Sequence, residues 1–372
     1  DPNRLTPAER HNDGLDYVPT HKGVLFGHHF AAIAGAGPLV GPVLAAQMGY
    51  LPGTLWIIFG VVFAGAVQDM MVLFVSMRRD GKSLGDIVKQ ELGTVPGVIA
   101  SIGILMIMVI IMAVLALIVV KALVHSPWGT FTIAATMPIA LFMGIYTRYI
   151  RPGKIGEISI VGFILLMLAV IYGDNVAHSS IGHWFDLDGI QLTWAIMIYG
   201  FVASVLPVWL LLTPRDYLST FLKIGTIVAL AIGILIVSPA LQMPAVTHFI
   251  DGSGPVFSGA LFPFLFITIA CGAVSGFHAL ISSGTTPKML ENETHVRMIG
   301  YGGMLMESFV AIMALAAAAS LDPGVYFAMN SPAALIGTDA NTAAEVITTK
   351  LQFPVDAATL LHTAKEVGEN TI

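Results

Sequence analysis

Two acidic residues and one histidine draw attention because each sits inside an apolar run. Asp69 lies within 54–76, His278 within 259–281 and Glu307 within 300–320. A charged side chain in such surroundings is expensive, and where it persists it marks an ion path or a proton relay. An imidazole adds a group that titrates near neutral pH. Just beyond His278 the chain carries Ser282, Ser283 and Thr285. These hydroxyls either pack a helix closely against its neighbour or offer oxygens to an ion. The chemistry within reach of this set is uptake of a proton or a cation rather than bond making.

The second set is backbone rather than side chain. Residues 27–47 are apolar and long enough to cross a bilayer, yet their middle reads Gly35-Ala36-Gly37-Pro38-Leu39-Val40-Gly41-Pro42. Glycine costs about 1 kcal/mol in a helix interior and proline about 3 kcal/mol. Irregular backbone at membrane depth survives only when buried in protein or lining a polar cavity. The expectation is a non-helical break somewhere in 35–42, between half-helices at 28–35 and 39–47. The first would end in carbonyls that suit a cation. The second would begin in amides that suit a carboxylate. Pro38 fits that first turn, and Gly35, Gly37 and Gly41 let a ligand approach the backbone. Gly35, Ala36, Gly37, Pro38 and Gly41 are therefore the candidate substrate contacts. Asp69, Glu307, His278, Ser282, Ser283 and Thr285 are the candidate ion-coupling residues.

The elements that must position these groups are membrane helices. The chain of 372 residues is 56% hydrophobic and 11% charged, against about 25% charged in soluble domains. Its mean hydropathy is +0.83. Nine spans are expected, at 28–47, 54–76, 98–123, 131–147, 156–173, 192–212, 220–238, 259–281 and 300–320. The class is an all-α polytopic membrane protein. The segments 1–27, 77–97, 148–155, 213–223 and 282–299 hold 14 of the 17 Lys and Arg residues. By the positive-inside rule the N-terminal side is cytoplasmic, which puts 321–372 outside. In that tail one short helix is expected, from Asp356 as N-cap to Gly368. Arg215, Asp216 and Lys288 fall in inner loops as surface charges. His28 and His29 start the first span about 100° apart, as an interfacial anchor or a gate rather than a metal pair.

Other classes fare poorly. Gly35 to Gly41 superficially resembles a dinucleotide loop but lacks the flanking strand and the acidic residue about 20 positions on. No metalloprotease or serine-hydrolase motif occurs, so no enzyme activity and no cofactor are expected. No basic patch with interleaved aromatics appears, which argues against nucleic acid. Cys271 is the single cysteine, so no internal disulfide forms. The chain opens at Asp1 without an initiator methionine or a signal-peptide pattern. A piece of a longer protein is the expectation.

Long motifs then point to a family. The stretches 25–53 (LFGHHFAAIAGAGPLVGPVLAAQMGYLPG), 65–85, 213–223 (TPRDYLSTFLK), 267–290 and 300–315 resemble the carbon starvation protein A family over most of residues 3–330. That resemblance implies a transporter of the bacterial inner membrane, taking up peptides in response to carbon starvation. Close relatives carry pyruvate with protons. The expected partners are thus small peptides or pyruvate, H⁺ or alternatively Na⁺, and the lipid bilayer. Family members are about twice as long, so two spans would precede Asp1 and a large part would follow Ile372. In transporters with a LeuT-like, five-plus-five inverted repeat, the first and eighth helices can bind sodium together, and the span order here allows that. A nutrient sensor using the same site without transport is the alternative of another class.

Overall fold

Glycine and proline punctuate a chain whose described residues are mostly helical. The computed structural model describes residues 1–152 and 154–367. All regular elements among the described residues are helices. The first pair is α1 (Lys22–Ile33) and α2 (Gly37–Ala45). Next come α3 (Tyr50–Arg78), α4 (Thr94–Leu123), α5 (Pro127–Ile150) and α6 (Ile155–Ala177). They are followed by α7 (Gly189–Val205), α8 (Leu212–Val237), α9 (Leu261–Thr268), α10 (Gly276–Ser282) and α11 (Glu293–Ser320). Six of these, α3, α4, α5, α6, α8 and α11, are long and apolar enough to cross a membrane. The interrupted pair α1 and α2 makes a seventh if it is one span.

Two of the nine expected spans take another form. The segment 192–212 is helical only to Val205, as the 17-residue α7. Leu206, which precedes Pro207, turns to extended backbone, because a following proline disfavours the helical region. The segment 259–281 is in pieces: α9, a short turn at Ala270–Ala273, and α10. Arg215 and Asp216 lie inside α8 rather than in a loop.

The chain divides into two units. The first comprises residues 1–36, 68–226 and 276–303. Here Leu25 of α1, Leu73 and Met77 of α3 and Ile299 of α11 share one buried cluster with Met289 and Leu290. Met143, Ile158, Leu166 and Leu218 tie α5, α6 and α8 together. The segment before α1 is pinned by amides of Val18 and Thr20 donating to Lys288 and Met289 carbonyls, at 3.2 and 3.0 Å. Gly93, at φ +98°, separates a short helix Leu84–Leu92 from α4. Along α4, Leu105, Met106 and Ile110 are exposed apolar residues, as expected for a helix whose surroundings are lipid.

The second unit comprises residues 37–67, 227–275 and 304–372. Its tail holds more helix than the sequence suggests: α12 (Pro323–Asn330), α13 (Ala340–Thr349) and α14 (Ala357–Val367). Asp356 does accept from the Thr359 amide at 2.7 Å; Gly368 lies outside the described residues. Asp322 and Asp339 cap α12 and α13 in the same way. These short helices are held because Tyr326, Phe327, Ile347 and Leu360 enter one core with Met48, Ile57 and Leu315.

Tyr326 has a further role in that unit. Its hydroxyl donates to the carbonyls of Val43 and Leu44, at 2.7 and 3.0 Å, where α2 ends. The last carbonyls of any helix lack intrahelical donors, and here a buried phenol supplies one. Burial raises the Tyr326 pKa above its ordinary value, so it remains a neutral donor. Tyr326→Phe should destabilise the protein by about 1–3 kcal/mol through loss of this donor. The check is thermal unfolding of the whole protein in detergent, where an unchanged melting temperature would show that the cap contributes nothing.

Candidate functional site

The break in the first span is real but narrower than the sequence suggests. It covers Ala34, Gly35 and Ala36, and α2 already begins at Gly37. Residues 37–42 are thus helical, with Pro38 in the first turn and Pro42 inside the helix. Pro38 forfeits no bond there, because the first-turn amides have no intrahelical partner.

The backbone accounting at the break shows what it leaves over. The Ala34 amide donates to Phe30 O at 2.8 Å, in the helical pattern. The Gly35 amide should reach Ala31 O, but donates to Ile33 O at 2.9 Å instead. The carbonyls of Ala31 and Ala34 are taken by the ammonium of Lys223, from α8, at 2.8 Å each. Lys223 therefore does not belong with the loop charges, as its sequence position suggests. Nearby, Thr220 donates to Gly27 O at 2.8 Å, one further link from α8 to α1.

The first unit also brings together several of the candidate ion-coupling residues. Asp69 Oδ2 and His278 Nδ1 are 3.0 Å apart, and both side chains are fully buried. The pair carries Asp69 from α3 and His278 from α10, far apart in sequence. Each of α3 and α11 contains a widened helical turn, at Val61–Gly65 and Arg297–Tyr301. At Gly300 a Cβ would stand 2.8 Å from the Met70 Cα, so only glycine allows α11 this close to α3 beside Asp69.

Around this pair the hydroxyls sort themselves. Ser282 Oγ is buried and has no hydrogen-bond partner among the described residues. Ser283 Oγ donates to Ala279 O at 2.7 Å and so serves its own helix. Thr285 is half-buried, and it is the neighbouring Thr286 that is bound, 2.9 Å from His29 Nδ1. His29 Nε2 is also buried, with no hydrogen-bond partner among the described residues. His28 Nδ1 stands 3.1 Å from Asp216 Oδ2. Neither histidine is an interfacial anchor: both are buried, each facing a different helix. Arg78 turns away from Asp69 and pairs with Glu293, Nε to Oε1 at 2.9 Å.

In the second unit Glu307 is fully buried and accepts from Cys271 Sγ at 3.2 Å. Cys271 belongs to a second break. Gly272, at φ +159°, interrupts the helix between α9 and α10. The start of α2 lies against this break: a Cβ at Gly37 would be 2.6 Å from Cys271 Sγ, and one at Gly41 would collide with Thr268 O. Gly37 and Gly41 thus permit close helix packing. Hydropathy alone hides this second break inside one expected span, although Gly272, Ser275 and Gly276 are its signal.

Asp69, Lys223, His278 and Glu307 each lie in one of the stretches that carry the family resemblance. The family model described as Carbon starvation protein CstA matches residues 1–372. The chain belongs to this family. It is 68% identical, along its whole length, to the protein named peptide transporter CstA of Escherichia coli (strain K12), of which it covers 54%. It is 59% identical, also along its whole length, to the protein named pyruvate/proton symporter BtsT of the same organism, of which it covers 55%. Against the peptide transporter CstA of Campylobacter jejuni the identity is 61%, with 53% of that protein covered. The chain spans about half the length of these relatives. No solved structure matches it.

The buried Asp69–His278 contact has a direct consequence. His278→Ala leaves a buried carboxylate without its imidazole, which should cost about 1–3 kcal/mol or more. Asp69→Asn should cost less, because the charge goes too. A double-mutant cycle read by thermal unfolding of the whole protein should give a coupling of about 0.5–3 kcal/mol; additive losses would mean that the two side chains do not interact.

Proposed function

We propose that the whole protein is a secondary transporter of the bacterial inner membrane that imports small peptides, driven by protons. The observation that carries this reading is the buried Asp69–His278 pair in a chain with an interrupted apolar helix. A carboxylate and an imidazole sharing one hydrogen bond change net charge by one unit when a proton is gained. In an apolar setting that change alters the cost of burial, which is what a coupled conformational cycle requires. Broken helices are where secondary transporters hold solute and ion.

In this reading the solute carboxylate lies near Gly35, Ala36, Gly37, Pro38 and Gly41. The coupling ion lies near Asp69 and His278, near Glu307, or at the hydroxyls of Ser282, Ser283 and Thr285. The N-terminal side is cytoplasmic, 28–320 forms the membrane part with nine crossings, and 321–372 lies outside. The positive charges of 1–27, 77–97 and 148–155 support that orientation. The order of the spans is compatible with a LeuT-like, five-plus-five repeat. Peptide is favoured as solute by the relative at 68% identity, named for peptide transport. Pyruvate is the second reading, favoured by the 59% identical relative named as a pyruvate/proton symporter. No catalytic step is proposed.

Uptake into proteoliposomes of the whole protein tests the reading, with dipeptides and pyruvate compared under separate proton and sodium gradients. The expected result is accumulation of one solute under a proton gradient. Asp69→Asn should abolish accumulation while leaving solute exchange without a gradient. Binding without any accumulation would instead mark a sensor, and full accumulation by Asp69→Asn would remove Asp69 from the coupling.

A further inference from the structure

A helix that stops at Ile33 leaves carbonyl oxygens at its end with a partial negative charge. In secondary transporters such an end, with unwound carbonyls beyond it, coordinates a cation. In this protein a cation is already there, and it is part of the chain. Lys223 Nζ is 2.8 Å from both Ala31 O and Ala34 O. The two oxygens lie on either side of the last helical residue. The Gly35 amide, which would have occupied one of them, has turned to Ile33 O. The ammonium thus replaces a backbone donor and supplies a full positive charge in one step.

We propose that Lys223 is the resident cation of the first break, and that its ammonium keeps a metal ion such as sodium out of this position. Lys223 is fixed for the task by its own helix. One turn earlier, Thr220 donates to Gly27 O and to Asp216 O, at 2.8 and 2.9 Å. Asp216 in turn faces His28. Three successive turns of α8 therefore grip α1, and the last of them reaches its C-terminal carbonyls. A lysine stem is long enough to span from one helix to the next while its ammonium donates to the two carbonyls. The inference concerns the ion at the break and is independent of which solute the protein carries, or whether it carries any.

The test uses the whole protein in detergent and needs no transport. Melting temperature is compared in sodium chloride and in choline chloride at equal ionic strength. The wild type should melt at the same temperature in both. Lys223→Gln keeps hydrogen-bond donors but removes the charge; in choline it should melt lower, by about 2–4 °C. Sodium should then restore part of that loss. Lys223→Ala should show the same sodium-specific recovery more strongly, since nothing remains between the carbonyls. Lys223→Arg retains the charge and should stay indifferent to sodium, which keeps the test open if the alanine variant does not fold. A sodium-specific stabilisation of the wild type that is unchanged in Lys223→Gln would overturn the proposal. So would a loss of stability in Lys223→Gln and Lys223→Ala with no sodium-specific recovery, which would leave Lys223 a structural cap.

Discussion

Backbone carbonyls released inside an apolar segment must find donors, and much of this structure follows from that demand. No water is at hand to satisfy them in hydrocarbon, and each one left bare costs several kcal/mol. At the end of α1 the donor is the Lys223 ammonium. At the end of α2 it is the Tyr326 hydroxyl. One is a charge from a long helix and the other a phenol from a short one. Both come from distant parts of the sequence, so interrupting the helix commits remote residues to fixed places.

The same logic governs the buried side chains. Asp69 is held by His278, His29 by Thr286 and Glu307 by Cys271. Gly300 admits α11 beside Asp69, and Gly37 lets Cys271 lie against the start of α2. Close packing and polar pairing are therefore parts of one arrangement. A side chain at either glycine would separate the elements that bring the polar partners together.

Much of this arrangement is legible in the amino-acid sequence. The interrupted first span is readable because proline and glycine have large, local and context-independent effects on helices. Asp69, His278 and Glu307 are readable because an ionisable group in an apolar run is rare. The limits of the break are not readable. Gly37-Pro38 looks like part of it, yet proline suits a first turn as well as an interruption, and only the fold chooses. The contact of Thr286 with His29 is not readable either, because adjacent hydroxyls differ only in the direction they face. The helices α12 and α13 escape a sequence reading because each is short and is stabilised by the shared core rather than by its own propensity.

The sequence by itself determined the class of the protein, its family and the presence of an interruption in the first apolar span. These follow from hydropathy, from long motifs and from the conformational limits of single residues, all of which act locally. The tertiary structure decided partnership. Asp69 with His278, and Lys223 with the carbonyls of Ala31 and Ala34, join residues roughly 200 positions apart. No local rule links such residues. Their pairing is set by which helices pack together, and that depends on the whole chain burying its apolar surface at once.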